Sequence, residues 1–88
     1  MNAAEIRKLR ATAHNLNPVV MIGQAGLTAA VLAEIDGALN AHELIKIKIR
    51  AEKEERIQIS QQICAESGAE LVQNIGQITV VYRKNPDK

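Results

Sequence analysis

The chain has 88 residues, which suits one domain with a small core; Tyr82 is the only aromatic, so that core has to be aliphatic. Hydrophobic residues make up 47% and charged residues 24%, the balance of an ordinary globular protein. A net charge of +1 excludes a uniformly basic protein, and a single cysteine, Cys64, excludes an internal disulfide and leaves no Cys/His cluster for zinc.

Asn2 followed by Glu5 reads as a capping box that starts a first helix. Ile6, Leu9, Ala13 and Leu16 then form an apolar stripe, with Arg7, Arg10 and His14 on another face. Pro18 ends any helix and starts a first strand. Val19 to Ile22 is apolar at every position, which predicts a strand covered on both sides. Gly23-Gln24-Ala25-Gly26-Leu27-Thr28 follows as a turn, and Ala29 to Ala41 reads as a helix capped by Thr28. Val31, Leu32, Ile35, Ala38 and Leu39 supply its buried side, and Gly37 sits in its interior at a cost of about 1 kcal/mol relative to Ala.

From Glu43 to Arg50 the chain alternates. Ile45, Ile47 and Ile49 fall on one face of a second strand, and Lys46, Lys48 and Arg50 on the other. The acidic run from Glu52 to Glu55 opens a third helix, whose core contacts come from Ile57, Ile59, Ile63 and Cys64 and which ends at Gly68. Cys64 reads as a buried, inert thiol. Two strands, Glu70 to Ile75 and Gln77 to Tyr82, are joined at Gly76 as a hairpin. Tyr82 reads as core, and the polar tail from Asn85 to Lys88 as frayed. The order is αβαβαββ, with helices two and three on one face of the sheet. The other face is left for helix one, water or a ligand, and for the Lys46–Arg50 side chains.

The glycine turn carries the clearest functional signal. A short turn between strand and helix offers backbone N–H groups at the positive end of a helix dipole, and glycines permit close approach of a phosphate. The charge distribution supports it. Residues 1–50 hold six Lys/Arg against four acids, whereas residues 51–88 hold five against six. His42 beside Glu43 reads as a helix C-terminal cap rather than a catalytic pair. No Walker lysine and no nucleophile–base pair is present, so the reading is non-enzymatic, with no cofactor, metal or small-molecule substrate. No signal peptide or membrane span is visible, which predicts a cytoplasmic protein.

Three stretches together look familiar: Ile22-Gly23-Gln24-Ala25-Gly26-Leu27-Thr28, the run from Ala38 to Lys48, and Ile75-Gly76-Gln77-Ile78-Thr79-Val80-Val81-Tyr82-Arg83. The sequence resembles the CRM-domain family, in particular its stand-alone bacterial members of the YhbY type, from about Ile6 to Arg83. That resemblance implies an α+β fold similar to the C-terminal domain of translation initiation factor three, with a mixed four-stranded sheet in order 1-2-4-3. It implies a single RNA-binding domain over residues 1–88 (core about 3–84) whose Gly-x-x-Gly loop clamps RNA backbone as in KH domains. It further implies a role on ribosomal RNA in precursors of the large ribosomal subunit. Many members carry a lysine after the first loop glycine, where this chain has Gln24.

The expected RNA-contacting residues are therefore Gly23, Gln24, Ala25, Gly26, Leu27 and Thr28 of the loop, Arg7 and Arg10 of the first helix, and Lys46, Lys48 and Arg50 of the second strand. The protein is expected to act as a monomer. With one aromatic, it should bind by backbone and shape rather than base stacking, and with strong salt dependence. An alternative is a protein-interaction module that docks on a ribosomal protein or assembly factor, which the near-neutral charge and the missing loop lysine would suit.

Overall fold

The alternation from Leu44 to Ile49 builds the strand on which both layers of the molecule pack. The computed structural model describes residues 1–85. Its elements are α1 (Ala3–Ala13), β1 (Pro18–Ile22), α2 (Ala29–His42), β2 (Leu44–Ile49), α3 (Lys53–Ser67), β3 (Glu70–Ile75) and β4 (Ile78–Tyr82). The strands form one mixed sheet in the order β1-β2-β4-β3. β1 and β2 run parallel, and β4 lies antiparallel to both β2 and β3. This is the α+β arrangement, and the strand order, that the resemblance implied.

Local chemistry sets the element ends. The Glu5 N–H donates to Asn2 Oδ1 at 2.8 Å, as the capping box predicts. The reciprocal bond differs, because Glu5 Oε1 accepts from Asn2 Nδ2 at 3.1 Å rather than from the Asn2 backbone. Thr28 Oγ1 accepts from the Val31 N–H at 3.2 Å and starts α2. Gly68, at φ 75°, ends α3 in the left-handed region, and its N–H donates to the Cys64 carbonyl at 3.0 Å. Glu52 precedes α3 without a side-chain cap bond, so the acidic first turn acts through the dipole alone.

The sheet carries a core on each face. On one face Val20, Ile22, Ile45, Ile47, Ile49 and Val81 meet Ile35 and Leu39 of α2 and Ile59 and Ile63 of α3. Each such buried aliphatic side chain contributes about 1.5–3 kcal/mol of burial free energy. On the other face Leu44, Val72 and Val80 meet Ala13 of α1, with Ile6, Leu9, Leu16, Ile78 and Tyr82 packed around them.

The expectation that β1 is covered on both sides fails. Val19 and Met21 are 50% and 54% exposed, because α1 packs over β2 and β3 and leaves the β1 edge open. Ile57, predicted as core, is exposed at the edge of α3, where it lines a shallow groove with Asn74 and Gly76. The chain after β4 is held at its start, since the Asn85 N–H donates to Glu43 Oε2 at 2.6 Å and Asn85 Nδ2 to the Asn40 carbonyl at 2.8 Å. The rest of the predicted frayed tail, residues 86–88, lies outside the described residues.

Candidate functional site

The turn after β1 closes when the Gly26 N–H donates to the Gly23 carbonyl at 3.1 Å. Gly26 has φ 73°, a conformation that favours glycine, whereas Gly23 has no positive φ and open space where a Cβ would stand. Only the second glycine is therefore demanded by the backbone. Gln24 and Ala25 are exposed at the tip. Leu27 turns inward and packs against the α2–α3 core, which anchors the loop. The Thr28 hydroxyl caps the Val31 N–H, and the first N–H groups of α2 beside it have no partner four residues back.

Basic residues lead away from this turn. The Arg50 N–H donates to the Ile22 carbonyl at 2.9 Å, which sets Arg50 next to the loop at the end of β2. Lys48 pairs with Met21, and Lys46 with Pro18, across the parallel β1–β2 ladder. The two lysines are about 7 Å apart along the strand and lie on the α1 side of the sheet, opposite the buried isoleucines. Lys46 and Arg10 then line a common groove under α1, whereas Arg7 is exposed on α1 and does not line it. Among the described residues the two ion pairs are Met1 N-terminus with Glu70 and Arg83 with Asp36, so Arg7, Arg10, Lys46, Lys48 and Arg50 have no carboxylate partner.

The groove has a volume of about 430 Å³, with Ala13, Ile78 and Val80 beneath Arg10, Lys46 and Gln73. Its shape depends on a bulge in β3. Leu71 pairs with Val81 and Gln73 with Val80, so Val72 is the extra residue. Val72 is buried beneath α1, and the bulge turns the next side chain, Gln73, to that same face. The Val72 carbonyl accepts from Arg10 Nε at 3.3 Å, which ties α1 to the bulge. Sequence reasoning missed Gln73, since alternation places Val72 and Gln73 on opposite faces and a bulge has no mark in it.

Other singled-out residues have different fates. His42 ends α2 exposed, with no side-chain hydrogen bond among the described residues, so it does not bond the helix end as expected. Glu43, at φ 64°, makes the turn into β2, and its N–H donates to the Leu39 carbonyl at 2.9 Å. Burial, and then the Glu70 carboxylate, push the Cys64 thiol above its ordinary pKa, which suits an inert packing role. Arg83, which closes the third resembling stretch but was given no role there, binds Asp36 Oδ1 at 2.6 Å, the Ser67 carbonyl at 2.8 Å and Asn40 Oδ1 at 2.9 Å, so it ties α2, α3 and β4 together. Among the described residues no group of three or more His, Cys, Asp or Glu is placed to hold a metal ion, and no helix is long and apolar enough to cross a membrane.

The fold and site define an α+β domain in which unpaired cations run across one face of a mixed sheet from a glycine turn. The chain matches the CRS1/YhbY (CRM) domain over residues 1–83, and it belongs to that family. It is 46% identical to a Pseudomonas aeruginosa protein named as a probable RNA-binding protein, over 91% of this chain and 78% of that one. It is 51% identical to an RNA-binding protein of Haemophilus influenzae, over 90% of this chain and 81% of that one. Its fold is similar to the solution structure of a Staphylococcus aureus protein described as a candidate for RNA binding, with a TM-score of 0.85, 30% identity, and coverage of 97% of this chain and 90% of that one.

Proposed function

We propose that the protein is a non-catalytic RNA-binding protein whose target is ribosomal RNA in precursors of the large ribosomal subunit. It acts in the cytoplasm as a monomer, with residues 1–88 forming one RNA-binding domain that assists subunit assembly. The observation that carries the reading is the row of cations without carboxylate partners, Arg50, Lys48, Lys46 and Arg10, that begins at the glycine turn. The names of the relatives support RNA as the partner.

In this reading a backbone phosphate approaches the Gly23–Gly26 turn and the N-terminus of α2, where N–H groups and the dipole favour an anion. Gln24 offers an amide where many family members have a charge, so Arg50 and Lys48 supply the nearest cations. Arg7 adds charge from the outer side of α1. Lys46 and Arg10 hold the strand farther along the sheet. Such binding reads backbone shape and weakens steeply with salt.

Ala25→Asp tests the loop, since Ala25 is exposed and without positive φ. Filter binding to transcripts of large-subunit ribosomal RNA should weaken about tenfold, the scale of one lost charged contact, with the melting temperature unchanged. Equal affinity would remove the loop from the interface. Cross-linking in cells followed by sequencing should return large-subunit ribosomal RNA, and recovery of other RNAs alone would overturn the ribosomal assignment.

The exposed Val19 and Met21 on the β1 edge favour a second reading, a module that docks on a ribosomal protein or assembly factor. Association with ribosomal particles that survives high salt, without affinity for naked RNA, would select it.

A further inference from the structure

We propose that the groove between α1 and the β3–β4 hairpin takes one unstacked purine of the bound RNA, read by Gln73 and Arg10. This rests on the RNA-binding reading and adds base selectivity to it. Sequence-selective recognition of RNA depends on unstacked bases whose edges can be hydrogen-bonded. The groove has what such a base needs. Its volume of about 430 Å³ lies within the range of small-ligand sites. Ile75 and Ile78 give it exposed apolar surface for the face of a ring, and the His14 imidazole lines it as well.

The polar groups are placed by the β3 bulge. It turns Gln73 onto the α1 face beside Val80, and its carbonyl, that of Val72, holds Arg10 through Nε. The two terminal nitrogens of Arg10 stay available, and the half-buried Gln73 amide makes no side-chain hydrogen bond among the described residues. Bulges characteristically re-aim a side chain beside a site. One rung of the sheet runs Lys46, Val80, Gln73, so the amide stands about 10 Å from the lysine strand, across two strand spacings. A nucleotide whose phosphate rests on Lys46 can thus lay its base over Val80 toward Gln73.

The donor set favours purines. An amide pairs with N7 and N6 of adenine through one acceptor and one donor, and a guanidinium pairs with N7 and O6 of guanine. Purines offer such a pair on the Hoogsteen edge as well as the Watson–Crick edge, whereas pyrimidines offer one on the Watson–Crick edge alone and have a smaller ring face.

The test is fluorescence anisotropy with single-stranded RNA of about a dozen nucleotides, as oligo(A), alternating A/G, oligo(U) and oligo(C). Wild type should bind the purine oligomers at least about fivefold tighter, the lower end of one bidentate contact. Gln73→Leu should erase the oligo(A) advantage while leaving oligo(U) affinity and the salt slope unchanged. Gln73→Glu, which keeps the shape and removes the donor, should turn preference from oligo(A) to alternating A/G, because a carboxylate accepts from both N1 and N2 of guanine. A purely structural Gln73 would not reverse a preference. Equal binding of all four oligomers, with affinity still lost in Lys48→Ala, would overturn the groove and leave RNA binding intact. No binding of any RNA would sink both.

Discussion

The two faces of the sheet differ in how completely they are sealed and in the charge they carry. The α2–α3 face is sealed. Ile22, Ile35, Leu39, Ile47, Ile49 and Ile63 are fully buried there, and the outer surfaces of its helices are rich in acids, with Glu34 and Asp36 on α2 and Glu54, Glu55 and Glu66 on α3. The α1 face is half covered. It leaves Val19, Met21 and Ile75 more than half or about half exposed and carries Lys46, Lys48 and Arg10 without carboxylate partners. A net charge of +1 is thus the sum of two unlike surfaces, and the near-neutral total hides a basic face.

Substitutions at matched positions should expose that division. Ile47→Ala, in the sealed core, should cost about 2–5 kcal/mol in urea unfolding, while Ile78→Ala, half-buried at the groove, should cost about 1 kcal/mol. Equal costs would erase the contrast. Arg83→Ala comes next, at about 1–3 kcal/mol, mainly from lost bonds to the Ser67 carbonyl, the Asp36 carbonyl and Asn40, since the ion pair to exposed Asp36 adds little. RNA affinity should not change when measured where both proteins are folded. Gly37→Ala should be the smallest change and the only gain. Gly37 is helical, exposed, and has nothing within 4 Å of a Cβ, so thermal melting should show about 0.5–1 kcal/mol of added stability.

Much of this was legible in the residues. Period-two alternation placed Ile45, Ile47 and Ile49 against Lys46 and Lys48, and the caps at Asn2, Thr28 and Gly68 fixed three helix ends, because both signals are local. The sheet order rested on resemblance, since strand pairing is a long-range choice that periodicity does not encode. The exposure of Val19 and Met21 was missed because an all-apolar run says nothing about how far a helix reaches across a sheet. Gln73 and Arg83 were missed for a related reason. One depends on a bulge and the other on three elements that meet only after folding.

If RNA meets the α1 face, the lysines of that face set the salt dependence of binding. The most direct test is the slope of log affinity against log salt for ribosomal RNA, in wild type, Lys46→Ala/Lys48→Ala and, as a control on the α3 side, Lys53→Ala. Loss of each phosphate contact should lower the slope by roughly 0.7–0.9, so the double variant should show about twice that loss and Lys53→Ala none. An unchanged slope in the double variant, or an equal loss per residue in Lys53→Ala, would contradict the assignment of the RNA to this face.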